Sequence, residues 1–175
     1  MVTADVRGPD GNDVQTWDEC RRIGHLLADE ALRIISGTEA QKNLKIRFRL
    51  WGDVTLPVDS PMLLAIMKSS PLRLAELDKK TIITRVNLVH VGDAQILTIP
   101  GEALPNIGYY LKRKMTGRHN FLFGLTNDAL GYILTKEDWN SFERYDYVTR
   151  ISLGESTAEI LIRESLRLVN GTAAK

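Results

Sequence analysis

Hydrophobic residues follow two rhythms along the chain, one helical and one alternating, and the switches between them outline the elements. Thr16 and Glu19 form a capping box, and behind it Trp17, Cys20, Gly24, Leu27, Ala31, Ile34 and Ile35 recur at helical spacing up to Gly37. This predicts a first helix, entered from a Gly-, Asp- and Pro-rich loop over residues 1–13. Leu44, Ile46, Phe48 and Leu50 then alternate with Lys45, Arg47 and Arg49, the pattern of a strand with one apolar face and one solvated basic face. Pro57 ends that stretch, Ser60–Pro61 starts a short helix with a cap and a proline in its first turn, and Ser70–Pro71 starts another. Residues 81–91 and 94–99, rich in Ile, Val and Thr, predict antiparallel strands joined at Gly92–Asp93. A helix over about 103–115 and a short strand over 120–125 follow. Ser156 and Glu159 form a second capping box before a final helix that carries Ile160, Leu161, Glu164 and Leu168 and stops at Asn170–Gly171, leaving residues 172–175 as a frayed tail.

Helices at both ends with a hairpin between them predict an α/β fold, with α+β as the alternative, built as a mixed sheet layered with flanking helices. The hairpin disfavours a purely doubly wound sheet, and there is no glycine-rich phosphate loop or Gly-x-Gly-x-x-Gly fingerprint. With 175 residues and no linker or repeat, a single domain over 1–175 is the default. A hydrophobic fraction of 43% and a net charge of +1 are ordinary for a globular protein and make no electrostatic case for nucleic acid. No apolar run approaches the ~20 residues that cross a bilayer, so no transmembrane segment is expected. Met1–Gly8 lack the basic and apolar regions of a signal peptide. Cys20, the single cysteine, excludes an internal disulfide and a cysteine-based zinc site.

Candidate chemistry begins at Ile99–Pro100–Gly101–Glu102, where an apolar strand stops at a sharp corner with a carboxylate just beyond it. Glu102 reads either as a helix-start carboxylate, favoured by the macrodipole, or as a metal ligand or general base. Tyr132, between Gly131 and Ile133, reads either as a packed aromatic or as a phenol facing a site. His25, His90 and His119 share no metal-binding spacing; His90, beside the Gly92 turn, is placed to face a cleft. Asn127–Asp128 is a turn by default. Lys112, Arg113, Lys114 and Arg118 complement a helix C-terminus, or meet an interface or a lipid headgroup. No serine sits in a nucleophile elbow.

In order, these segments resemble the neutral/alkaline (non-lysosomal) ceramidase family. Ile99–Pro100–Gly101–Glu102 resembles its (A/I)-(V/I)-P-G-E segment, with Gly108 six residues on. Gly124–Leu125–x–Asn127 followed by Tyr132 resembles G-L-x-N-x-x-x-x-Y at identical spacing, and Thr135, Glu137 and Tyr145–Asp146 resemble the continuation. The likeness is sharp from about 92 to 146 and loose around Ile23–Gly24 and Leu56–Pro57. It implies the C-terminal portion of the catalytic domain of a zinc amidase that cleaves the N-acyl bond of ceramide; members of that family are often secreted or held at the membrane surface, and the localisation of this chain is left open. It implies that Glu102 and Tyr132 are two zinc ligands, while the family's two histidine ligands lie in a missing N-terminal half and have no counterpart here; His90 and Asn127 are additional candidate ligands from this chain's own residues. Its catalytic serine falls on Arg7, in Ala4–Asp5–Val6–Arg7–Gly8–Pro9, so no catalytic residue is assigned. The zinc site is incomplete, with weak or absent binding and no hydrolysis expected of the chain alone; its partners would be that N-terminal half, a lipid amide in the full enzyme and a second copy in a homo-oligomer. The alternatives are a non-catalytic interaction or assembly module derived from the family, and a hydrolase of a different amide or ester with Arg7 anchoring an anionic group.

Overall fold

The computed structural model describes residues 6–39, 44, 46–71 and 75–171. The chain divides into two compact units, residues 1–43 and 44–175.

In the first unit, Arg7 and Asp13 form a bridge that closes a turn, and α1 (Trp17–Ser36) follows. The Thr16 hydroxyl accepts the Glu19 N–H at 3.2 Å, as the capping pattern predicts, and the Gly37 N–H closes the far end on Ile34. Leu26, Leu27, Leu32, Ile34 and Ile35 on this helix are all exposed.

The second unit runs β1 (Ile46–Pro57), α2 (Pro61–Ser69), a 3-10 turn (Ala75–Lys79), β2 (Thr81–Val91), β3 (Ala94–Thr98), β4 (Glu102–Ala103), α3 (Pro105–Lys114), β5 (His119–Phe123), β6 (Tyr132–Ile133), α4 (Asp146–Arg150) and α5 (Thr157–Val169). Its main sheet has the order β1-β2-β3-β5, antiparallel for the first two pairs and parallel for β3 with β5, so the mixed sheet with flanking helices is as the pattern predicts. A second, two-stranded sheet pairs β4 with β6, also parallel. Alternation on the strands places Leu56, Leu88 and Leu97 on one face, against Ile107 and Leu111 of α3 and Leu161 and Leu168 of α5, and each of these is at most 1% exposed. The other face of the sheet presents Trp51, Ile83, Phe121 and Phe123, all exposed.

Three expectations meet a different local structure. The helix predicted from about residue 103 starts at Pro105, because a proline at the first helical position holds Leu104 in extended backbone; Glu102 is therefore on a strand and is not a cap. Ser156 stands before α5 but makes no capping bond, since its backbone is already helical (φ −86°, ψ −3°); Glu159 instead accepts the Lys136 N–H at 3.2 Å. The helix expected at Ser70–Pro71 falls partly outside the described residues, and the 3-10 turn at 75–79 follows it. Of the basic strand face, Arg47 and Arg49 fall in β1 and Lys45 lies outside the described residues, as do 1–5 and 172–175.

Candidate functional site

β3 and β5 run parallel and end side by side, and both chains then turn the same way. Ligands of α/β proteins gather beyond the carboxyl ends of parallel strands, and the corner lies there. After Thr98, Ile99–Pro100–Gly101 carries the chain off the main sheet into β4; after Phe123, residues 124–131 carry it into β6. Backbone bonds stitch the two turns together. Ile99 N–H donates to Phe123 O, Leu125 N–H to Gly101 O, Leu130 N–H to Pro100 O and Glu102 N–H to Gly131 O, at 2.8–3.1 Å.

This close seam explains the glycines. A Cβ on Gly101 would sit 2.5 Å from the Gly131 carbonyl oxygen, and one on Gly131 would sit 2.3 Å from the Ile151 carbonyl oxygen, at a φ of +82°. Leu125 (φ +52°) and Asn127 (φ +75°) also take left-handed backbone in the loop, a conformation uncommon for a leucine and found where surrounding structure enforces it. Two side chains anchor the loop to β2: Asn127 donates to the Arg85 carbonyl at 2.9 Å, and the Thr84 hydroxyl donates to Asp128 at 2.5 Å.

The outcome is a register. Glu102 and Tyr132 are Cα partners in the β4–β6 pair, so their side chains project from the same face of adjacent strands, about 4.8 Å apart along the ladder. The Tyr132 ring packs edge-on against Tyr147, centroids 5.9 Å apart. Burial, then the Glu102 carboxylate, then Tyr147 push the Tyr132 phenol above its ordinary range. The register thus sets two oxygen donors, a carboxylate and a phenol, on one face of adjacent strands, and the negative charge of the first opposes ionisation of the second.

The other candidates are elsewhere. His90 lies on β2 at the hairpin, the end of the sheet opposite the corner, within hydrogen-bond distance of Gln95 on β3 (3.2 Å) and on the order of 15 Å of strand from the corner. It lines a separate cavity of about 290 Å³ with Asp93, Gln95 and Arg118. His119 opens β5 at that same end and His25 is in α1. Asn127 is committed to the loop anchor. Arg7 sits in the bridge to Asp13, and Ala4–Asp5 lie outside the described residues. Among the described residues, no three His, Cys, Asp or Glu side chains are grouped so as to hold a metal ion. Tyr147 is the site residue that sequence reasoning did not single out; its neighbour Tyr145 stood in the resembling segment, but only the fold shows which ring reaches Tyr132.

No family model matches the sequence, and neither does any curated protein. Solved structures do match. The crystal structure of neutral ceramidase from Pseudomonas aeruginosa aligns over 95% of this chain at 15% identity and a TM-score of 0.61. A structure of a ceramidase complexed with C2 aligns over 53% of this chain and 16% of its own length, at 18% identity and a TM-score of 0.42. The chain spans about a third, 35%, of the Pseudomonas protein. At that identity the likeness concerns the fold: over most of its length, this chain has a neutral ceramidase-like fold.

Proposed function

We propose that this chain supplies part of the active site of a zinc-dependent, ceramidase-like amidohydrolase, with Glu102 and Tyr132 as two oxygen ligands. The observation that carries this reading is the β4–β6 register, which sets a carboxylate and a phenol side by side just past the ends of parallel strands, in a fold like that of neutral ceramidase. Hard oxygen donors suit zinc, but catalytic zinc normally takes three protein ligands, and the pair supplies two. The residues present therefore fit part of a site. The reading requires imidazoles from a partner corresponding to the N-terminal half of a ceramidase-like catalytic domain, for which the exposed sheet face with Trp51, Ile83, Phe121 and Phe123 offers an apolar seat; a second copy of the chain is the competing occupant. A bound zinc would polarise the amide carbonyl and lower the pKa of its water. Glu102 and Tyr132, the latter with its ring packed on Tyr147, are the residues of this chain that would hold the ion.

The test is complementation. The 175-residue chain is mixed with the N-terminal half of a ceramidase-like catalytic domain and zinc, and release of fatty acid from an N-acyl sphingosine is measured. Activity is expected in the mixture and absent from this chain alone, and Glu102→Gln is expected to reduce it by at least about a hundredfold, more than loss of an outer-shell group does. A zinc-loaded complex without fatty-acid release contradicts the reading. That result favours the second one, a non-catalytic assembly module. Release from another N-acyl amide or an ester alone would mark a hydrolase of different substrate.

A further inference from the structure

A cavity of about 570 Å³ opens between the start of α2, residues 139–140 and the segment 149–155 at the end of α4. That volume suits a small organic ligand. Glu102, Tyr132 and Tyr147 are not among its lining residues, so it is separate from the corner. Thr149 and Ser152 line it and are 8% and 0% exposed, and among the described residues neither hydroxyl has a hydrogen-bond partner. Buried polar groups are normally paired, so two orphan hydroxyls on one wall call for a polar occupant. Thr157 and Ser165 in α5 also hold unpaired hydroxyls, but neither lines this cavity. Asp59 and Glu155 set the charge of the wall. Both are exposed, and among the described residues neither carboxylate has an ion pair or a hydrogen bond. Arg150, also on the wall, is already paired with Asp146 at 3.2 Å. Asp59 is held in place. Its N–H and that of Ser60 both donate to the Leu153 carbonyl, at 2.8 and 3.0 Å. Its carboxylate lies against Gly154, where a Cβ would sit 2.6 Å from Oδ2. Trp139 adds an aromatic wall.

We propose that this cavity binds a small organic cation that carries a primary ammonium group. Two unpaired carboxylates only accept hydrogen bonds and favour positive charge beside them. A primary ammonium brings three N–H donors, enough to serve Asp59 and the two orphan hydroxyls together. The face of an indole attracts the same cation through its quadrupole. An anion would meet both carboxylates and be repelled. A divalent metal is the weaker fit: calcium takes six to eight oxygens, and among the described residues no three His, Cys, Asp or Glu side chains gather to hold a metal ion. Binding here needs neither zinc nor the Glu102–Tyr132 pair.

The experiment titrates n-butylammonium chloride into the full, isotopically labelled chain and follows the indole N–H signals of its three tryptophans by NMR. Trp139→Phe identifies the signal that matters. That signal is expected to shift saturably with butylammonium and to stay in place with n-butanol, the uncharged analogue, or with sodium phosphate. Asp59→Asn is expected to weaken binding about tenfold or more, and Glu155→Gln severalfold. Gly154→Ala keeps every charge but pushes the Asp59 carboxylate aside, and is expected to weaken binding as well. Asp93→Asn removes the same charge outside the cavity and is expected to leave binding within about twofold. Thr149→Val and Ser152→Ala each remove an orphan hydroxyl. They are expected to keep or raise the urea midpoint of the free chain while weakening binding, a combination that a purely structural hydroxyl does not produce. Urea unfolding of every variant separates loss of binding from loss of fold; should Asp59→Asn not fold, Gly154→Ala and Glu155→Gln carry the test. No saturable shift, an equal shift with n-butanol, or equal weakening by Asp93→Asn overturns the proposal. A shift with calcium chloride that butylammonium does not reproduce, lost in Asp59→Asn, replaces it with a metal site. Fatty-acid release in the complementation assay bears only on the corner, so the two readings fail separately.

Discussion

Gly131→Ala is expected to destabilise the 44–175 unit by about 3 kcal/mol or more and to separate Glu102 from Tyr132. Two effects add. At φ +82° an L-residue is disfavoured by roughly 1–2 kcal/mol relative to glycine. The added Cβ would also lie 2.3 Å from the Ile151 carbonyl oxygen, a backbone atom that cannot move without breaking the Tyr132 N–H bond to it. The same residue accepts the Glu102 N–H through its carbonyl, so any shift reaches both strands of the small sheet. Gly171→Ala isolates the first effect: its φ is +74°, and a Cβ there meets nothing within 4 Å. Urea unfolding of the two variants should show a loss of about 1 kcal/mol at Gly171 and several times that at Gly131. Equal losses would mean that the seam is not as close as described.

Leu97→Ala is expected to cost about 2–5 kcal/mol, from lost burial and the cavity left behind. Leu97 is 0% exposed, on the middle of β3, between β2 and the strand that carries the parallel pairing. Removing its side chain loosens the platform from which the corner at Ile99–Gly101 departs. Ile83→Ala, at a position 51% exposed on the opposite sheet face, should cost less than about 1 kcal/mol in the chain by itself. Denaturant midpoints compare the two directly. A large loss at Ile83 would show that the outer face is already covered, and would remove it as the seat for a partner.

The strands and the first and last helices are legible from local pattern. Residues 81–91 are β2 as predicted, and Gly171, at φ +74°, ends α5 as predicted. What misleads is the local reading of residues whose role is set at a distance. Glu102 looks like a helix-start carboxylate because a helix does begin three residues later, at Pro105; its strand exists only because Gly131 and Tyr132, thirty residues on, pair with it. Ser156 and Glu159 have the spacing of a capping box, but the backbone at Ser156 is already helical. His90 looks near a cleft and is, but on β2 at the hairpin end, away from the corner, since direction along a strand does not say which end the next element approaches. The adjacency of Glu102 and Tyr132 is implied by family resemblance, not by periodicity, and Tyr147 is invisible to both because its contact depends on how α4 returns to the corner.

The most direct test of the account is a spectroscopic pH titration of the phenols in the purified chain, with and without excess Zn²⁺. The chain has five tyrosines, so Tyr132→Phe identifies the transition that matters. Without metal, the Tyr132 phenol should ionise above the ordinary range, and Glu102→Gln should bring it partly down, because burial remains. Zinc should move the transition to lower pH, with an affinity weak enough for dialysis to reverse it; the zinc effect should be absent in Tyr132→Phe and reduced in Glu102→Gln. A zinc-induced shift that survives Tyr132→Phe, or one of undiminished size in Glu102→Gln, would contradict the assignment of Glu102 and Tyr132 as part of a metal site.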